Sequence, residues 1–93
     1  MIKSFACKET EKLFNREVTR KWPQSVRKSA RRKLLLIDAA TNLNDLRVPP
    51  GNHLEKLKGD RKDQHSIRIN DQWRVCFGWR SGDAFGVEII DYH

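Results

Sequence analysis

The strongest constraint in this sequence is a change of hydrophobic period on either side of one short stretch, Arg47-Val-Pro-Pro-Gly-Asn52. Two prolines remove backbone donors there and a glycine frees the chain, so the stretch is a loop. Before it, apolar residues recur at helical spacing. Val26, Ala30, Leu34, Ile37 and Thr41 fall on one face of a helix predicted over 24–43, widened by Leu35, Leu36 and Ala40, with Arg27, Lys28, Arg31 and Arg32 on the other side. A shorter helix is predicted over 9–18, with Leu13, Phe14 and Val18 inward, ending before Lys21-Trp-Pro-Gln-Ser25. Pro23 is tolerated near a helix start.

After the loop the period is two. Ile67 and Ile69 alternate with Ser66 and Arg68. Trp73, Val75, Phe77 and Trp79 alternate with Arg74, Cys76 and Gly78. Phe85, Val87 and Ile89 alternate with Gly86, Glu88 and Ile90. Asn70–Gln72 and Arg80–Asp83 carry turn residues between these runs. The expected fold is α+β: two N-terminal helices packed on one face of a small antiparallel sheet. Ile2–Ala6 is a further short strand that can join the sheet edge. A chain of 93 residues is expected to form one domain spanning 1–93. The sheet face away from the helices is expected to stay open and to display Ser66, Arg68, Arg74, Glu88 and Tyr92. Guanidinium groups there suit phosphate and a phenol ring suits a base, although a solvated polar face has the same pattern.

Charge sharpens this reading. Residues 1–33 hold 11 Lys/Arg against 3 Asp/Glu, whereas residues 34–93 hold 8 against 9. A basic N-terminal third suits a polyanionic partner, nucleic acid or an acidic protein, or else a solvated helix face. No apolar run approaches the ~20 residues of a membrane span, and Met1–Thr10 lacks the apolar core of a signal peptide, so the cytoplasm is the expected location. Cys7 and Cys76 are far apart in sequence and are expected as packed thiols.

Several chemistries find no support. There is no glycine-rich phosphate loop, and Leu57-Lys-Gly-Asp60 is too short to be one. His53, His65 and His93 share no ligand spacing, so neither a metal site nor a cofactor is expected. A Ser/His/Asp hydrolase would need a nucleophile elbow. Metal-free RNA cleavage needs less. The RNA supplies its own 2′-hydroxyl nucleophile. The protein takes that proton, stabilises the phosphorane and protonates the departing 5′-oxygen. The chain ends in Asp91-Tyr92-His93, which either forms part of such a site or is a frayed tail.

Leu57-Lys-Gly-Asp-Arg61, then Ser66-Ile-Arg-Ile-Asn-Asp-Gln-Trp-Arg-Val-Cys-Phe77, then the terminal Asp-Tyr-His resemble the HigB branch of the RelE/ParE toxin superfamily, the plasmid-maintenance killer proteins. Leu46–Arg61 resembles the GraT-like subgroup. The resemblance covers nearly the whole chain, including Met-Ile-Lys-Ser-Phe5. It implies a compact toxin of two helices on an antiparallel sheet, ribosome-dependent mRNA cleavage, and a HigA antitoxin with a helix-turn-helix domain. It assigns function to Lys58, Arg74, Asp91, Tyr92 and His93. Some members carry histidine three residues before the motif lysine, where this chain has Glu55, with His53 two residues earlier. Glu55, Arg61 and Arg68 are expected at the RNA, and Lys28, Arg31 and Arg32 at the antitoxin. The competing readings are a non-catalytic ParE-like gyrase inhibitor and a plain RNA-binding module.

Overall fold

The computed structural model describes residues 1–92. Helix α1 spans Lys8–Phe14, with Glu9 and Glu11 in its first turn, where carboxylates oppose the positive end of the helix dipole. It is shorter than the predicted 9–18. Asn15 leaves helical geometry and Arg16 adopts φ 62°, which turns the chain away. Val18 is consequently exposed rather than inward. Thr10 is buried in α1 and its hydroxyl accepts the Ile89 amide at 3.2 Å, tying the helix to the last strand.

Helix α2 spans Gln24–Ala39 and buries Val26, Ala30, Leu34 and Ile37 at the expected spacing. It stops short of residue 43 because Asn42 and Asp45 form a capping box for a separate 3-10 turn, Leu43–Arg47. Asp45 Oδ2 accepts the amides of Thr41 and Asn42, each at 3.1 Å, so these donors are satisfied outside a helix.

Four antiparallel strands follow in the spatial order β1-β2-β3-β4: β1 Glu55–Lys56, β2 Gln64–Arg68, β3 Trp73–Arg80 and β4 Asp83–Asp91. The N-terminal stretch adds to β4 through parallel bridges at Ile2↔Ala84 and Phe5↔Val87. One buried cluster joins Val26, Ala30, Leu34 and Ile37 of α2 to Ile67, Val75, Phe77, Val87 and Ile89 of the sheet. Cys7 and Cys76 are both free thiols.

Two expectations about the sheet need correction. The alternation of β4 shifts at a bulge between the pairs Cys76↔Glu88 and Gly78↔Phe85, where Gly86 adopts φ 59°. Ala84 therefore enters the core, and Phe85 shares the opposite face with Gly78. That opposite face is also not open at its centre. Ser66 and Arg74 are buried, because the segment between α2 and β2 turns back and places the His53 carbonyl on Arg74.

Candidate active site

Arg74 stands opposite Arg68 on β2 and Ile90 on β4, with only 5% of its surface exposed. Its guanidinium is held on several sides. Nε donates to Ser66 Oγ at 2.8 Å, Nη2 to the His53 carbonyl at 2.5 Å, and Nη1 faces Glu55 Oε1 at 3.7 Å. The Tyr92 ring lies 5.2 Å from the guanidinium carbon. A buried guanidinium satisfied in this way is fixed in orientation, so its charge is aimed rather than mobile. His53 can offer its carbonyl because it sits in the left-handed region, φ 45° and ψ 59°, at the end of the 3-10 turn Pro50–Asn52. Asn52, fully buried in that turn, donates Nδ2 to the carbonyls of Leu46 and Val48 at 3.2 and 3.3 Å and accepts Lys33 Nζ at 2.5 Å. Burial, with smaller contributions from Arg32 and Arg68, lowers the Lys33 pKa from the ordinary lysine range.

Strand β1 brings the carboxylate in. It pairs Glu55 with Ser66, the neighbour of Arg74, so Glu55 lies beside the guanidinium. The Tyr92 hydroxyl approaches Glu55 Oε2 at 3.4 Å. Tyr92 is anchored by its backbone amide, which donates to the Gln72 carbonyl at 2.6 Å, so β4 stays attached through residue 92. Asp91 pairs with Trp73 and accepts Gln72 Nε2 at 3.1 Å. Alternation thus separates Asp91 from Tyr92, as the sequence requires. His93 lies outside the described residues.

Glu55, Lys58, Arg61, Ile90 and Tyr92 line a cleft of about 430 Å³. Lys58 is exposed and precedes the 3-10 turn Gly59–Arg61. No described residue forms an ion pair with it. Arg61 is engaged: Nη2 pairs with Glu88 at 2.6 Å and Nη1 donates to Gln64 at 3.0 Å. The hydrogen-bonded Glu88 carboxylate raises the Arg61 pKa above its ordinary value. Arg68 pairs with Asp71 at the β2–β3 turn and does not line the cleft. Lys28, Arg31 and Arg32 are not part of it either. They line a groove of about 550 Å³ with Leu13 of α1 and Leu35 of α2. Among the described residues, no three His, Cys, Asp or Glu side chains are grouped to hold a metal ion.

Sequence reasoning missed two elements of this site. The His53 carbonyl and the Asn52 amide carry no side-chain motif; their only trace is an Asn-His following Pro-Pro-Gly, where left-handed backbone is common. Ser66 was legible as a face partner of Arg74 but not as its buried acceptor.

The cleft thus presents an ammonium, a carboxylate and a phenol, with the fixed Arg74 guanidinium set against the carboxylate and the phenol ring. That set can bind a phosphodiester and shuttle a proton. Comparison with known proteins identifies the setting: a family model described as "RelE-like toxin of type II toxin-antitoxin system HigB" matches residues 3–93. The chain belongs to this HigB-like toxin family. It is 47% identical over 71 residues to "Toxin HigB-1" of Vibrio cholerae, an overlap covering 76% of this chain and 74% of that protein. It is 37% identical over 93 residues to "Endoribonuclease HigB" of Proteus vulgaris, covering 100% of both. As a HigB-like type II toxin it is one half of a pair, and an antitoxin is its partner. Among the described residues, no helix is long and apolar enough to cross a membrane.

Proposed function

We propose that this HigB-like toxin is an endoribonuclease that cuts mRNA on the ribosome in the cytoplasm, acting as a single toxin domain over 1–93. The supporting observation is the buried Arg74, held by Ser66 and His53 against Glu55 and Tyr92, which line a cleft together with Lys58. With the helices on one sheet face, the other face receives the RNA. The RNA 2′-oxygen attacks the adjacent phosphorus and the bond to the 5′-oxygen breaks. This leaves a cyclic phosphate on one fragment and a 5′-hydroxyl on the other. Arg74 and Lys58 stabilise the phosphorane charge. Glu55 stands where a relative carries histidine and is placed to accept the 2′-proton. His93, assigned by the resemblance, supplies the proton to the leaving oxygen, with Asp91 orienting it. The Tyr92 ring stacks on a base. No step uses a metal or cofactor. The antitoxin is of the HigA helix-turn-helix type, and its acidic segment meets Lys28, Arg31 and Arg32.

Primer extension on an mRNA during translation tests this. Discrete cuts are expected, absent when the nucleotide at the cut carries 2′-deoxyribose. Growth arrest with intact mRNA and inhibited gyrase would instead indicate a ParE-like inhibitor.

A further inference from the structure

A second hollow, of about 640 Å³, lies at the other end of β3 from Arg74. Strand β3 carries Arg74 near its start and Trp79 and Arg80 at its finish, about 20 Å further along. Phe85 is a half-buried wall of this hollow, and Lys56 and Arg80 stand exposed at its rim; Trp79 of β3 also lines it, with its ring packed against the core on the other face. The bulge at Gly86 creates it. By shifting the alternation of β4, the bulge takes Phe85 out of the core and sets it opposite Gly78, which has no side chain to cover the ring. A Cβ at Gly86 would meet nothing within 4 Å, so that side is open as well. The Arg80 guanidinium already stacks on Phe85 at 4.5 Å from its ring centre. His65 also lines the hollow, with its ring 6.1 Å from that of Phe77 and its pKa lowered by burial and by Lys56.

The hollow and the cleft have Lys56 as a common lining residue. A shallow depression of about 490 Å³, lined by Lys56, Lys58 and Lys62, shares Lys56 with the hollow and Lys58 with the cleft. An aromatic face flanked by cations that have no ion-pair partner among the described residues, with lysines between it and the cleft, suits single-stranded nucleic acid. Asp63 is the one carboxylate on the wall, positioned to accept from a base amino group.

We propose that this hollow is a subsite for a nucleotide a few positions from the scissile bond. Its base stacks against Phe85 and its phosphate meets Arg80 and Lys56, while the intervening backbone follows Lys58 and Lys62. This rests on the endoribonuclease reading and extends it from one bond to a stretch of RNA.

The test measures equilibrium binding of 2′-O-methyl oligonucleotides, which cannot be cleaved, to the full chain by fluorescence anisotropy. A trinucleotide reaches the cleft alone, and one of about eight nucleotides reaches both sites. The longer one is expected to bind more tightly. Phe85→Leu, which keeps the apolar volume and loses the ring, is expected to remove about tenfold of its affinity, as is Arg80→Gln. Trinucleotide binding should be unchanged in both variants. An abasic strand of equal length and charge should lose the gain. Equal binding of the abasic strand would overturn the subsite by showing that charge alone suffices. So would equal affinity of the two lengths, failure of any oligonucleotide to bind, or full affinity in both variants. The cleavage reading is judged separately by primer extension. A chain that binds as described but makes no cuts would retain the subsite and lose the nuclease. Arg80→Gln alters an exposed side chain, so its result stands even if Phe85→Leu folds poorly.

Discussion

Arg74 and Tyr92 share one carboxylate. The guanidinium lies 3.7 Å from Glu55 Oε1, the phenol 3.4 Å from Glu55 Oε2, and the guanidinium carbon 5.2 Å from the Tyr92 ring centre. Arg74 comes from β3, Tyr92 directly follows β4 and Glu55 comes from β1, so the triangle forms only when the sheet is complete. Its geometry places a fixed positive charge beneath an aromatic face, suited to a phosphate and its neighbouring base.

The first prediction concerns Arg74. Its burial changes what truncation does. Arg74→Ala leaves Ser66 Oγ and the His53 carbonyl without their donor, so it is expected to cost about 1–3 kcal/mol of stability as well as activity. Arg74→Lys keeps the charge and loses the fork. Because removal of one preorganised donor typically costs about 3–4 kcal/mol in the transition state, cutting should fall about 10²–10³-fold. Primer extension paired with thermal melting separates the effects. Wild-type cutting by Arg74→Lys would exclude a role for the guanidinium geometry.

Tyr92 divides into a ring and a hydroxyl. The hydroxyl contact to Glu55 is long and exposed, whereas the ring covers a guanidinium. Tyr92→Phe is expected to keep most activity. Tyr92→Ala should lose about 1–3 kcal/mol of base stacking, a roughly 5- to 150-fold drop in cutting. Equal loss in both variants would transfer the role to the hydroxyl.

How far the sequence revealed this site depended on which interactions are local. The period of Val26, Ala30, Leu34 and Ile37 is a property of consecutive residues, so α2 was legible, as were β2, β3 and most of β4. Arg74, Lys58 and Tyr92 were legible as candidates through motif and alternation. Strand β1 was not, because two residues carry no period and become a strand only by pairing Glu55 with Ser66. The inversion of Phe85 was hidden because one glycine at positive φ resets alternation without altering composition. The burial of Arg74 was hidden because its cover is a main-chain carbonyl contributed from 21 residues away.

Lys58 stands exposed, without an ion-pair partner among the described residues, and its proposed role is to supply charge. A charge clamp tolerates a change of head group more readily than a proton carrier does. Lys58→Arg is therefore expected to cut within about tenfold of wild type, and Lys58→Ala to fall further, by about 10²-fold or more. Loss in Lys58→Arg as severe as in Lys58→Ala would mark the lysine as the proton carrier instead.

The two thiols should behave oppositely. Burial pushes Cys76 up to about 11 from 9.0, with Arg61 and Arg74 only partly opposing it. For Cys7, burial also opposes ionisation, but hydrogen bonds from Thr10 and Glu9 and the charge of Lys21 outweigh it and lower the pKa. Alkylation near neutral pH should reach Cys7 first and Cys76 only on unfolding. The sign for stability follows. A folded-state thiol pKa raised above the unfolded value favours the folded chain fully below about pH 9, and this contribution is lost as pH rises from about 9 to 11. Cys76→Ala should flatten that alkaline decline in a melting series, and an unchanged slope would contradict the assignment.

The last prediction separates the His53 side chain from its backbone. His53 lies two residues before Glu55, the position at which the family resemblance implies a histidine, so a catalytic imidazole is the natural competing idea. In the structure it is the carbonyl that meets Arg74, and the residue occupies left-handed backbone that asparagine or glycine adopts at little cost. His53→Asn is therefore expected to keep nearly full cutting, since the carbonyl remains. The carbonyl's position depends instead on Asn52, whose amide holds the carbonyls of Leu46 and Val48 and meets Lys33. Asn52→Ala abandons these buried partners and should lower stability by about 1–3 kcal/mol. By releasing the His53 carbonyl, it should also slow cutting at temperatures where the variant remains folded. Asn52→Asp retains an acceptor for Lys33 but cannot donate to the two carbonyls, so it should resemble Asn52→Ala in activity. If His53→Asn abolished cutting while Asn52→Ala left it intact, the imidazole and not the carbonyl would be the functional group at this position.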